Sequence, residues 1–332
     1  MVQAGSGKFG GKVHATVRLS NSEWAHCSLT CYRFWMHTLS RKDLILLALL
    51  TVSWGLNWPV MKIGVLNFPP LTFRSLGMLG GVVAIWLAAR AQRASLQIPK
   101  GEVMTVIKLA IPNMLIWHVL IILGVKMLSS GRAAILGYTM PVWAVLAGLI
   151  FFGDRISRAA LVGIALAFTG AMLLLSSEFT KLSGQPMGTI LALIAAAAWG
   201  YGTVIIKRTT IAMPTISLTF WMLSFTTLVM CVMTMVFEYD AMRLPTQVEW
   251  ATIAYNAIII FGFAHVVWFR LARILPPVAS SLSVMLIPVL GVFSGAWILG
   301  ETPHWQDYAA IALILGSMST VLFKSREPKT TS

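Results

Sequence analysis

Charge is scarce in this chain. Only 11% of its 332 residues are charged, where a soluble domain carries about 25%. Acids are the scarcer sign, 11 against 25 basic residues, and each falls in a tail, a loop or the end of an apolar stretch. A proton-driven carrier with a mid-membrane carboxylate is therefore not expected, leaving His118 and His265 as the groups able to titrate at that depth. Three cysteines, Cys27, Cys31 and Cys231, give no disulfide framework. His26 with Cys27 and Cys31 falls short of a four-ligand metal set, and no cofactor is expected. There is no phosphate loop of the form G-x-x-x-x-G-K-[ST], which excludes ATP hydrolysis by that route, and no G-x-S-x-G elbow of a serine hydrolase. Alternating ten-residue strands of a membrane barrel are also absent.

Apolar sequence fills the space. Hydrophobic residues make up 58% of the chain and the mean hydropathy is +0.81. Helices satisfy their own backbone hydrogen bonds in lipid, and a spanning helix needs about 20 apolar residues. Ten such windows occur, at 44–64, 71–89, 103–125, 133–152, 159–176, 187–207, 216–237, 251–272, 280–299 and 308–323. The net charge of +14 does not point to nucleic acid, because the basic residues alternate between inter-helix segments. Arg41, Lys42, Arg90, Arg93, Lys100, Arg155, Arg158, Lys207, Arg208, Arg270, Arg273, Lys324, Arg326 and Lys329 form one set. Lys62, Lys126, Arg132, Lys181 and Arg243 form the other, beside most of the acids. The positive-inside rule makes the first set, and with it both termini, cytoplasmic.

The stretch His118–Asp154 recurs as His265–Glu301, shifted by 147 residues. His118-Val119 matches His265-Val266, Pro141-Val142 matches Pro288-Val289, Gly148 matches Gly295, and Gly153-Asp154 matches Gly300-Glu301. Trp54-Gly55 and Lys62 return as Trp199-Gly200 and Lys207, and Gly170 has a near counterpart in Gly316. A shared order of His, Pro, Gly and an acid marks an internal duplication. Each copy holds five spans, and an odd unit re-enters the membrane inverted. The fold expected is thus an all-α membrane protein of ten transmembrane helices in two inverted five-helix repeats, an arrangement typical of secondary transporters.

Residues 1–42 read as a disordered basic leader, with Met36 as an alternative start; 43–178 is the first repeat, 187–323 the second, and 324–332 a cytoplasmic tail. Span 1 sets Trp54, Asn57, Trp58 and Met61 on one helical face, and an amide in hydrocarbon should face the interior. Tyr138, Trp199, Tyr201 and Trp268 add stacking surface, and His118 and His265 should approach the two-fold axis as neutral imidazoles. These nine residues are the expected substrate site. Trp86, Trp250 and Trp305 read as lipid-facing or belt aromatics. Arg74 is expected to snorkel to the interface, attraction of an anionic group being the other reading. Asp154 and Glu301 read as acids at the start of the helix that follows each.

The Trp-Gly start of spans 1 and 6, Arg74 early in span 2, and the Pro-Val to Gly-Asp/Glu ending of spans 4 and 9 resemble the EamA family of the drug/metabolite transporter superfamily over residues 43–323. Asp154 departs from the usual Glu, and Trp143 is bulky where a small residue is common. The resemblance implies a ten-helix inner-membrane exporter of amino acids or related metabolites, not an enzyme. It would be a monomer or homodimer in the lipid bilayer, with a small-molecule substrate as its partner. A sugar-phosphate or nucleotide-sugar exchanger would want several cations facing the cavity, where only Arg74 and Lys62 are near. An intramembrane enzyme would pair His118 or His265 with Ser129 or Ser283, yet a catalytic His need occur only once.

Overall fold

The computed structural model describes residues 41–154, 157–180, 185–268 and 277–323. The leader up to residue 40 and the tail from 324 lie outside them. Helices follow one another as α1 Arg41–Val65, α2 Pro70–Ala91, α3 Val103–Met127, α4 Ser130–Phe152, α5 Arg158–Thr180, α6 Pro186–Arg208, α7 Thr215–Phe237, α8 Gln247–Trp268, α9 Pro277–Leu299 and α10 Trp305–Phe323. Eight, α1 to α8, are long and apolar enough to cross a membrane, and no strand occurs among the described residues.

Local chemistry sets the ends. Pro70 begins α2 where its missing N–H costs nothing. Thr246 and Glu249 form a reciprocal capping box on α8. Gly153 and Gly300 end α4 and α9 with φ of 67° and 65°, a backbone region open to glycine at little cost. Beyond them the amides of Asp154 and Glu301 turn back to the carbonyls of Gly148 (3.1 Å) and Gly295 (3.4 Å). A β-carbon on Gly148 would stand 2.5 Å from the Asp154 carboxylate, and one on Gly295 would stand 2.6 Å from that of Glu301. The repeated Gly-x4-Gly-acid spacing is therefore one turn made twice.

The two prolines of the duplicated stretch behave differently. At Pro141, α4 breaks into Ser130–Gly137 and Met140–Phe152, and the Leu136 carbonyl takes both the amide (3.1 Å) and the hydroxyl (2.7 Å) of Thr139. At Pro288, α9 runs on without interruption.

Packing relies on small residues, since lipid offers no hydrophobic drive between helices. Helices pair as α2 with α7, α4 with α9 and α5 with α10. Gly170 of α5 meets Ile314 and Leu313 of α10, and Gly316 of α10 meets Leu166 of α5. A β-carbon at Gly200 would stand 2.7 Å from the Met140 carbonyl oxygen and the Ala144 amide nitrogen, so α6 lies directly on the α4 backbone. On α2, Gly77, Gly80 and Gly81 face Asn256, Ala257 and Phe261 of α8. Trp86, Trp250 and Trp305 are exposed on the outer faces of their helices.

Candidate functional site

The glycine face of α2 decides where Arg74 goes. One turn before Gly77, its guanidinium is carried into the α2–α8 contact. It donates to Asn256 Oδ1 (3.3 Å), meets the Met61 sulfur (3.0 Å) and lies over the Phe261 ring (5.7 Å). Arg74 is 2% exposed, so it does not snorkel. Close approach of the two helices leaves its side chain no route outward. Its Nε has no hydrogen-bond partner and no carboxylate among the described residues pairs with it.

Both histidines sit just past an unwound turn. In α3 a π-helical segment, Ile111–Ile116, contains Pro112 and ends one residue before His118's neighbour Trp117; in α8 a longer one, Tyr255–Ala264, ends at His265. Such segments leave backbone carbonyls misaligned and are frequent at functional sites. His265 Nδ1 donates to one of them, Ile260 (2.7 Å). A carbonyl can only accept, so a neutral His265 keeps its Nε2 as an acceptor. Neither nitrogen of His118 has a partner, although the ring is 3% exposed. The two imidazoles are 6.4 Å apart, and Phe261 lies 5.3 Å from one and 5.4 Å from the other.

Around them the aromatics fall into joined groups. Trp54 meets His265 (6.3 Å) and Trp268 (5.4 Å). Trp58 meets Tyr138 (6.2 Å), and Trp117, absent from the residues expected from sequence, meets Trp199 (5.2 Å). Gly137 joins these pairs, because a β-carbon there would stand 2.8 Å from Trp58 and 3.4 Å from Trp117. Asn57, on the same α1 face as Trp54 and Met61, is buried with its Oδ1 unpartnered. Tyr201 stands apart, its ring 5.2 Å from the exposed Phe151. Eight of the nine residues expected from sequence thus line a chain of contacts through α1, α3, α4, α6 and α8, which Tyr201 does not join. Among the described residues no group of three His, Cys, Asp or Glu could hold a metal.

The helix ends are tied by polar contacts of a different kind. Glu301 does not cap the helix that follows it; its carboxylate reaches α4, accepting from the Ser130 amide (2.7 Å), the Ser130 hydroxyl (2.9 Å) and the Gly131 amide (3.2 Å). Amides at a helix start lack intrahelical partners and attract negative charge, which explains the choice. Glu238 treats α2 alike, at Leu71 and Thr72. Arg132 and Asp307 form a buried ion pair at 2.7 Å. Lys62 donates to the carbonyls of Val125, Lys126 and Leu128 at the end of α3, and is therefore committed outside the aromatic cluster. Asp154, the counterpart of Glu301, pairs with the half-exposed Arg208 instead. A cavity of about 200 Å³ lies beside the Glu301 contact, lined by Ser129, Arg132, Val292, His304 and Asp307.

An all-helical chain with long apolar helices packed through glycine, enclosing buried polar atoms and aromatics, is a multi-span membrane protein. The chain belongs to the EamA-like transporter family, whose model matches it at residues 41–176 and again at 186–323. That places it in the drug/metabolite transporter superfamily. It is 25% identical over 270 residues to the uncharacterized transporter YoaV of Bacillus subtilis (strain 168), covering 81% of this chain and 90% of that one. It is 26% identical over 297 residues to a "Probable amino-acid metabolite efflux pump" of Escherichia coli (strain K12), covering 87% of this chain and 97% of the pump. A solved crystal structure matches with a TM-score of 0.61 at 20% identity, over 86% of this chain and 98% of its own, a likeness of fold.

Proposed function

We propose that this transporter moves small zwitterionic or weakly polar organic metabolites, amino acids among them, across the inner membrane by alternating access, as an exporter or facilitator. The observation that carries the reading is the set of buried hydrogen-bonding atoms without partners, both nitrogens of His118 and Asn57 Oδ1, set among stacked aromatics. Buried polar groups are normally satisfied, and an exception calls for something that satisfies it. The aromatic residues give a wall for an apolar side chain and a ring face for an ammonium group. Relatives named as amino-acid metabolite efflux pumps favour the same substrate class. The engagement of Lys62 with carbonyls leaves Arg74 as the cation beside this cluster, which weighs against phosphate-bearing substrates.

The proposal includes ten spans in two inverted repeats, 43–178 and 187–323, with both termini cytoplasmic. The pairing of α2 with α7, α4 with α9 and α5 with α10 supports it, since a pseudo-two-fold axis sets equivalent helices against each other. Different partners for Glu301 and Asp154 support alternation: one end of the molecule is latched through a helix start while the equivalent acid at the other end is held by an exposed ion pair. The test is counterflow of radiolabelled amino acids and related metabolites in proteoliposomes. Exchange of one substrate group above empty vesicles is expected, with preference changed by Trp54→Ala or Trp199→Ala. A folded, incorporated protein that exchanges none of them refutes the reading.

A further inference from the structure

We propose that Arg74 is the carboxylate-binding residue of this transporter, receiving the acid group of its substrate between the α2–α8 contact and His118. The inference rests on the transport reading for its context and adds the substrate's required group. A guanidinium carries five N–H donors and cannot discharge itself by losing a proton, so a buried one is ordinarily matched by a carboxylate. Arg74 is 2% exposed, yet what it meets is an amide oxygen, a thioether and a ring face. The buried cations and acids that the fold does pair elsewhere show the contrast. Arg132 has Asp307 at 2.7 Å, and Lys62 has three carbonyls. Around Arg74 the remaining polar groups are neutral. Asn256 uses its amide nitrogen on the Thr252 carbonyl (3.1 Å) and its oxygen on Arg74. His265 is tied to Ile260, and His118 is unpartnered on both nitrogens.

The positions converge on one ring. Phe261 has the Arg74 guanidinium over it at 5.7 Å, His118 edge-on at 5.3 Å and His265 stacked at 5.4 Å. An incoming carboxylate would take the free Nε–H of Arg74 and a proton from His118, meeting two unmatched groups at once. It would also supply the one charge the cluster lacks. Planar, forked donors suit a carboxylate better than a point charge does, so lysine in this place should serve less well.

The alternative is a structural role, in which Arg74 only braces α2 against α8 through Asn256 and Phe261. Ligand-induced thermal stabilisation of the purified full-length protein separates the two. The probes are L-amino acids, each with its carboxamide and its decarboxylated amine, at matched concentrations. The wild type is expected to be half-saturated by at least one amino acid at a concentration about tenfold or more below that of its amide and amine, the size of one charge-assisted hydrogen bond. Arg74→Gln should abolish that preference while keeping weak binding of all three, and Arg74→Lys should retain part of it. Amides binding as well as acids in the wild type, or acid preference surviving Arg74→Gln, overturns the proposal. So does the absence of any acid-dependent stabilisation. Because the wild-type comparison needs no variant, a poorly folding Arg74→Gln protein leaves the test intact. Acid-selective binding without flux in proteoliposomes would refute transport and keep Arg74; flux of acids and amides alike would do the reverse.

Discussion

Replacing Glu301 with Gln should loosen the end of the molecule that Glu301 latches. In the wild type its two oxygens accept three hydrogen bonds, from the Ser130 amide at 2.7 Å, the Ser130 hydroxyl at 2.9 Å and the Gly131 amide at 3.2 Å. A glutamine turns one oxygen into a donor. One bond is then lost against a facing N–H, and the others lose their charge assistance. A hydrogen bond to a charged group contributes about 1.5–3 kcal/mol and a neutral one about 1 kcal/mol, so the change comes to roughly 3 kcal/mol. That is on the order of 100-fold in the population with this contact open. The reporter is a cysteine in place of Val292, which is 2% exposed and lies 3.0 Å from where a β-carbon on Gly131 would be. In a background with Cys27, Cys31 and Cys231 replaced, Glu301→Gln should speed maleimide labelling of that cysteine by about that factor. Asp154→Asn should change it by less than about fivefold, because an exposed ion pair contributes about 0.2–1 kcal/mol. Equal labelling with and without Glu301, or an equal effect from Asp154, would refute the latch.

Further outcomes are expected. His118→Ala and His265→Ala should each weaken flux about 2- to 12-fold with normal insertion, the span of one hydrogen bond, while His304→Ala should not. Arg132→Gln strands Asp307 in a buried pair and should lower the thermal midpoint and yield by a loss of about 3–5 kcal/mol, with Arg132→Met/Asp307→Leu recovering part of it; an unchanged midpoint for the single variant contradicts this. Gly200→Ala should destabilise by about 1–3 kcal/mol, since the new methyl meets the α4 backbone rather than a movable side chain; retained wild-type stability would mean that α6 is not seated there. A reporter fused after Lys324 should be cytoplasmic and a cysteine at Asp240 should label from outside, and the opposite pattern overturns the orientation.

The spacing of the duplicated stretch was readable because each of its parts has a local cause. Gly153 and Gly300 supply a left-handed turn, Gly148 and Gly295 leave room for an acid, and none of this needs knowledge of a distant helix. The destination of that acid was not readable, since Glu301 reaches a helix start 171 residues earlier in the chain. Arg74 shows a second limit. Its place one turn inside the apolar stretch suggested the interface, but depth along a helix says nothing of rotation about it. Rotation is set by Gly77, Gly80 and Gly81 meeting α8. Tyr201 fails for the same reason: Gly200 and Gly202 fix how α6 lies on α4 and Asn113, and Tyr201 then faces Phe151.

The differences between matched residues say more about mechanism than the matches do. His265 has an unwound carbonyl to bind and His118 does not; Pro141 breaks its helix and Pro288 leaves its helix whole; Glu301 caps a helix start and Asp154 pairs with an exposed arginine. Two copies of one unit with one sequence pattern have no chemical reason to settle into different contacts if both are at rest in the same environment. Under the proposed inverted arrangement they do have a reason, because each copy must take the other's conformation when access switches sides. The cost of exchanging Glu301's helix cap for its counterpart's weaker pair is then met by an equal gain at the opposite end. A substrate that satisfies His118 and Arg74 would be needed in both states alike, so it can ride the exchange without favouring either side.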